Sequence, residues 1–138
     1  MRERANAKIN LCLDVVGKRE SDGYHELKMI MVPIDFYDVL EMLPAKETTL
    51  SLNRSYLPVN DKNTIIKAIN VMKAKYGFDT NFACILHKHI PTRAGLAGGS
   101  ADAAAAIRSG GVVGKRRSRG GGAGGLPTSQ RARVHGCD

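Results

Sequence analysis

Residues 91–104 have the sequence Pro91-Thr92-Arg93-Ala94-Gly95-Leu96-Ala97-Gly98-Gly99-Ser100-Ala101-Asp102-Ala103-Ala104. A strand-like stretch, Phe82 to Ile90, precedes this segment, and alanines of high helix propensity continue after it. The order is therefore strand, glycine loop, helix, and Gly99 or Ser100 is predicted to cap the helix. Glycine lets the main chain approach a phosphate closely, and a helix N-terminus attracts an anion. The segment thus predicts a phosphate-binding loop, although tight packing alone would also account for its glycines.

The loop matches neither of two common phosphate-binding motifs. No Gly-Lys-Ser/Thr closes it, so it is not a Walker A loop, and its glycines do not have the G-x-G-x-x-G spacing. The motif therefore has to be interpreted together with the rest of the chain.

The N-terminal segment predicts a half-buried strand. Residues 7–15 alternate strictly, with Ala7 and the apolar residues that follow it on one face and Lys8, Asn10, Cys12 and Asp14 on the other. An ammonium group and an amide therefore lie side by side on a face that points to solvent or to a ligand.

Further elements follow along the chain. Ser21-Asp22-Gly23 predicts a turn, and strands are predicted over residues 27–32, 36–43 and 48–52. A helix is predicted over residues 64–76, because apolar residues recur there at helical spacing. Asp61 or Asn63 is suited to cap its start, and Gly77 to end it.

The glycine loop and three N-terminal motifs in combination resemble one family. The segment from Pro91 to Ala104 resembles the phosphate loop of the GHMP kinases, a superfamily of small-molecule kinases. The segments Ala7-Lys8-Ile9-Asn10-Leu11, Gly17-Lys18-Arg19 and Asp22-Gly23-Tyr24-His25-Glu26-Leu27 are similar to those of the diphosphocytidyl-methylerythritol kinases within it. The resemblance covers residues 1 to about 108. It implies an α/β fold of the two-layer α+β type, the GHMP kinase N-terminal domain with its ribosomal-protein-like topology, here incomplete.

The resemblance implies roles for five side chains outside the loop. Lys8 matches the catalytic lysine, which would stabilise charge that develops during phosphoryl transfer. Asn10 would help to hold the substrate, Tyr24 and His25 match the pair that binds the cytosine, and Lys88 matches a basic residue near the substrate. Any of these residues alone would be an ordinary surface residue, and only the joint occurrence of the motifs favours the functional interpretation.

The implied reaction is the transfer of the γ-phosphoryl group of ATP to the 2-hydroxyl of diphosphocytidyl-methylerythritol, a step of isoprenoid synthesis. Residues 91–101 would wrap the ATP phosphates, with Ser100 able to contact a phosphate or Mg²⁺, and Mg²⁺ would accompany the nucleotide. The alternatives are a nucleotide-binding fragment without catalytic activity and a nucleic-acid-binding protein with a basic tail.

The composition changes after Arg108. Residues 109–138 hold nine of the 15 glycines and +5 of the formal net charge of +8. We therefore expect two parts: a GHMP kinase N-terminal domain over 1–108 and a disordered tail over 109–138. The family continues into a Gly-Ala-Asp-Val-Pro motif that carries the catalytic base. Here the sole acidic residue after Arg108 is Asp138, so we expect a truncated or out-of-frame terminus and a chain of little activity.

The remaining composition excludes some classes of protein. No apolar run approaches the roughly 18 residues of a membrane span, and no signal peptide is predicted. The three cysteines show no metal or redox spacing, which fits the cytoplasm. His87 and His89 share a strand face, but no third ligand is evident, so no protein metal site is predicted. The basic run from Lys115 to Arg119 would bind nucleic acid weakly at most.

Overall fold

The computed structural model describes residues 1–118, and side chains up to Val113. It contains four strands and two helices in one domain: β1 (Arg2–Lys18), β2 (His25–Ala45), β3 (Thr49–Leu52), α1 (Thr64–Tyr76), β4 (Asn81–His87) and α2 (Gly98–Ser118).

The four strands form one mixed sheet in the order β1-β2-β4-β3. β1 and β2 form a long antiparallel hairpin, β4 is antiparallel to β2, and β3 is parallel to β4. The parallel pair is connected through α1, as parallel neighbours require a crossover. The predicted runs 27–32 and 36–43 are parts of the single strand β2. The last strand ends at His87, before Lys88, and not at Ile90 as its apolar pattern predicted.

Helix α1 has the bounds that the sequence predicts. The Asn63 side chain accepts a hydrogen bond from the Ile65 N–H (2.9 Å), and Gly77 ends the helix in the left-handed conformation with φ 62°. Of the two proposed caps, Asn63 is therefore the one used.

The core lies between one face of the sheet and the two helices. Buried sheet residues such as Leu40, Met42 and Phe82 pack with Ile65 and Ile69 of α1, and Ala105 and Ala106 of α2 complete the layer. This two-layer arrangement confirms the predicted fold class.

The outer half of the β1–β2 hairpin extends beyond this core. Leu11, Leu13 and Val15, predicted to be half-buried, are between 48% and 64% exposed, because no helix among the described residues covers them. A register shift between Asn10 and Cys12 also moves the later residues of β1 to the opposite face, so that the alternation of the sequence doesn't persist along the strand.

Helix α2 begins earlier and continues further than the sequence predicts. Ala101 N–H donates to Ala97 O (2.9 Å), so the helix starts at Gly98 and the predicted caps Gly99 and Ser100 lie within its first turn. The helix passes Arg108 without a break, and Ser109 is fully buried. The composition change at Ser109 therefore doesn't coincide with a helix end. The predicted disorder of residues 119–138 lies outside the described residues, and the domain boundary stays a prediction.

Within residues 1–118, no helix is long and apolar enough to cross a membrane.

Candidate active site

The glycine loop lines an open cleft of about 430 Å³. Each residue from 91 to 100 contributes to its wall, while Ala101 turns into the packed part of α2. Asn63 and Thr64, at the start of α1, line the same cleft. The N-termini of both helices therefore border one cavity, where their dipoles favour an anion.

The main chain of the loop follows an unusual path. Arg93, Gly95 and Ala97 have φ values of 59°, 72° and 58°, so every second residue is in the left-handed region. A Cβ on Gly98 would lie 3.1 Å from Ile90 Cγ2 and 3.1 Å from Lys88 Nζ, so a side chain there would require these neighbours to shift. A Cβ on Gly99 would meet no protein atom closer than 3.9 Å. Packing thus explains Gly98, whereas Gly99 leaves the main chain open toward the cleft.

Two hydrogen bonds connect the loop to neighbouring elements. The Lys8 N–H of β1 donates to Leu96 O (3.1 Å), and the Thr64 hydroxyl of α1 donates to Gly99 O (3.0 Å). The strand that carries the predicted catalytic lysine is therefore bonded directly to the predicted phosphate loop.

Lys8 and Asn10 lie together, as the alternation of β1 predicted. Lys8 Nζ donates to Asn10 Oδ1 (3.2 Å) at the surface. The two side chains form a polar pair beside the loop.

Tyr24 and His25 lie elsewhere. They follow the hairpin turn, where His25 pairs with Lys18, and Tyr24 is 69% exposed. Nine residues of β1 lie between Lys8 and Lys18, and the strand has two register shifts along this stretch. The structure doesn't bring the predicted cytosine pair to Lys8, and its role stays a prediction.

Lys88 is buried, with 4% of its side chain exposed. Its Nζ donates to Asp38 Oδ2 (2.5 Å) and to Asp102 Oδ2 (2.9 Å). Burial alone would lower the Lys88 pKa, but the two carboxylates raise it, so the ammonium stays charged. The Lys88 ammonium thus bonds two protein carboxylates, whereas the resemblance implies a position near the substrate. Its contact with the substrate stays a prediction.

Sequence reasoning missed Asp38 and Asp102. Both are buried, and burial together with the nearby Asp38 carboxylate raises the pKa of Asp102 to about 7 although Lys88 opposes this shift. Asp102 shares a helix face with the buried Ala105 and Ala106, so helical spacing would have shown that its carboxyl group points inward.

Metal ligands are sparse in the described part of the chain, where no group of three or more His, Cys, Asp or Glu side chains could hold an ion. His87 Nε2 lies 3.8 Å from Glu41 Oε1 at the surface.

Comparison with known proteins identifies the family. Residues 63–111 match the family model described as GHMP kinases N terminal domain. The 4-diphosphocytidyl-2-C-methyl-D-erythritol kinase of Clostridium kluyveri is 49% identical over 106 residues, which are 76% of this chain and 38% of that protein. The kinase of the same description from Thermoanaerobacter pseudethanolicus is 50% identical over 104 residues, or 75% of this chain and 36% of the relative. This chain thus spans well under half the length of these relatives.

Solved structures agree. A crystal structure of 4-(cytidine 5'-diphospho)-2C-methyl-D-erythritol kinase aligns with a TM-score of 0.68 and 34% identity, over 82% of this chain and 40% of that one. Homoserine kinase from Cytophaga hutchinsonii shares the fold at 18% identity and a TM-score of 0.54, over 62% of this chain and 30% of that one. The chain therefore carries a GHMP kinase N-terminal domain, homologous to the N-terminal part of the 4-diphosphocytidyl-2-C-methyl-D-erythritol kinases.

Proposed function

We propose that this domain is the ATP-binding half of a kinase that phosphorylates the 2-hydroxyl of 4-diphosphocytidyl-2-C-methyl-D-erythritol. The observation that carries the proposal is the Lys8 N–H to Leu96 O bond (3.1 Å), because it joins the predicted catalytic strand to a loop that borders the cleft. The high identity to kinases of this description supports the choice of substrate.

The loop and the two helix N-termini would hold the triphosphate. Main-chain N–H groups near Gly98 and Gly99 would bind phosphate oxygens, and the open side of Gly99 leaves room for their approach. Mg²⁺ would be bound with the nucleotide, where it neutralises phosphate charge, and Ser100 would contact a phosphate or the ion.

Lys8 would act on the substrate. Its ammonium would stabilise negative charge that develops on the attacking and transferred groups, and Asn10 would orient both the lysine and the substrate. Tyr24 and His25, on the exposed hairpin, would bind the cytosine ring by stacking and base-edge hydrogen bonds.

The 138-residue chain should bind ATP but turn it over poorly. It spans 38% of its Clostridium kluyveri relative, and loss of a general base typically costs about 10²–10⁴-fold in rate.

A fusion experiment tests the proposal. Residues 1–108 are joined to the remaining C-terminal part of the Clostridium kluyveri kinase, and ADP formation is measured with the cytidyl substrate. The fusion should phosphorylate this substrate, whereas the unmodified chain should bind ATP with little turnover. A well-folded fusion without activity would contradict the kinase assignment.

A further inference from the structure

Three buried charged side chains connect the two ends of the phosphate loop. We propose that Asp38 and Lys88 are positioning residues of this loop: together with Asp102 they form an ion clamp that joins the segment entering the loop to the helix leaving it. The proposal rests on the ATP-binding role proposed above.

At the entry side, Asp38 holds the main chain. Its Oδ1 accepts hydrogen bonds from the N–H groups of His89 (2.5 Å) and Ile90 (2.8 Å), the last two residues before Pro91. Asn53 holds the preceding residue, because its side chain bonds both the N–H and the carbonyl of Lys88. The direction in which the chain enters the loop is therefore fixed by side chains and not by strand pairing, which ends at His87.

At the exit side, Lys88 contacts the start of α2. A Cβ on Gly98 would lie 3.1 Å from Lys88 Nζ, so the first helical residue packs directly on the ammonium group. The same Nζ donates to Asp102 Oδ2 (2.9 Å) one turn later. One ammonium thus holds the helix end whose N–H groups would face the phosphates.

Other charged side chains of the neighbouring elements bond elsewhere. Lys8 of β1 bonds Asn10, Glu3 pairs with Arg108, and the buried residues of α1 are all apolar. Lys62 and Arg93 line the same cleft, but among the described residues they form no ion pair with the clamp. Replacing a buried ion pair by apolar residues often leaves stability unchanged, so these charges are better explained by the geometry that they impose.

The first test compares two carboxylates of β2. Asp38→Asn removes the charge that joins both ends of the loop. Glu41→Gln is the matched control. Glu41 lies on the same strand and faces His87 of β4, but at 3.8 Å and with both side chains partly exposed. ATP affinity of the folded 138-residue chain is measured by calorimetry, and folding by thermal unfolding. Asp38→Asn should weaken ATP binding about 10- to 100-fold, whereas Glu41→Gln should stay within about twofold.

A second variant addresses the risk that Asp38→Asn does not fold. The triple substitution of Asp38→Asn, Lys88→Met and Asp102→Asn removes all three charges together, so no buried ion is left unpaired. The amide oxygen at position 38 can still accept both N–H bonds of the loop entry. The triple variant should fold, should shift the Gly98 and Gly99 amide resonances, and should weaken ATP binding at least about tenfold.

The outcomes are distinct. Absence of ATP binding by the unmodified chain would overturn the proposed function, and the clamp with it. Unchanged ATP affinity in either folded variant would overturn the clamp alone. If neither variant folds, the ions serve the fold as a whole, and a role confined to the loop is wrong.

Discussion

Ala97 adopts a backbone conformation that usually belongs to glycine. Its φ of 58° lies in the left-handed region, where the Cβ of an L-residue approaches the following carbonyl. Glycine positions in this region, such as Gly95 and Gly77, avoid that contact. The glycine loop thus contains local strain, which its own hydrogen bonds, including Ala101 N–H to Ala97 O, maintain.

Ala97→Gly should therefore stabilise the domain. We expect the free energy of unfolding to rise by about 0.5–1 kcal/mol, less than the full left-handed penalty because glycine also gains freedom in the unfolded chain. Gly77→Ala, at another left-handed residue, is the opposite control and should lower stability by about 1 kcal/mol. Urea unfolding measures both, and a destabilised Ala97→Gly would show that the loop is not strained there.

Asp102 should make stability depend on pH. Its folded-state pKa is about 7, raised from 3.8, so folding favours the protonated carboxyl. That stabilisation is fully present below about pH 4 and is lost as the pH rises through 7. Asp102→Asn cannot ionise, so its stability relative to the unmodified chain should increase between pH 5 and pH 8. Urea unfolding at both values tests this, and a constant difference would mean that Asp102 titrates normally.

The C-terminal extent of helix α2 differs from the extent that the sequence predicts. Composition places a boundary at Ser109, whereas the helix continues and packs Gly110 against Met72 of α1. A Cβ on Gly110 would lie 2.5 Å from Met72 Cε, while a Cβ on Gly111 would meet nothing within 4 Å. These two adjacent glycines of α2 thus have different surroundings.

Alanine substitutions at these glycines test the helix beyond Arg108. Gly110→Ala should displace the Met72 side chain and cost about 1 kcal/mol, partly offset by alanine's helix propensity. Gly111→Ala should stabilise the protein by up to about 1 kcal/mol, because propensity acts alone there. Thermal unfolding of the pair decides: equal effects would mean that this segment does not pack on α1.

Local signals account for what the sequence could predict. The period of α1 and the chemistry of Asn63 and Gly77 act within a few residues, so the helix bounds are correct. The predicted runs 27–32 and 36–43 belong to one strand, β2. Pro33 lies between them and pairs with Lys8 beside a register shift, where a proline is tolerated.

The candidate site was predicted only where its residues are neighbours in sequence. The loop is one continuous segment, and Lys8 and Asn10 are two positions apart. Lys88, in contrast, meets partners 50 and 14 positions away. The exposure of the outer hairpin likewise depends on which other elements pack against it. The alternation of residues within a strand carries no information about those elements.

The whole domain divides the expected chemistry between two places: the loop with Lys8, and the hairpin end with Tyr24 and His25. We expect this separation to appear in the kinetics of the fusion with the Clostridium kluyveri C-terminal part. Lys8→Ala should lower kcat by about 10²-fold or more with little change in ATP affinity, because the lysine acts on charge that develops during transfer. His25→Ala should mainly raise KM for the cytidyl substrate, because the histidine is predicted to contact the base and not the reacting oxygen. Lys18→Ala, opposite His25 on the hairpin, is the control for nonspecific damage and should change neither value more than about threefold.

Steady-state kinetics with ATP and substrate varied separately measure all three variants. A Lys8→Ala fusion with normal kcat would remove Lys8 from the reaction, and a His25→Ala fusion with unchanged KM would remove the hairpin from base recognition.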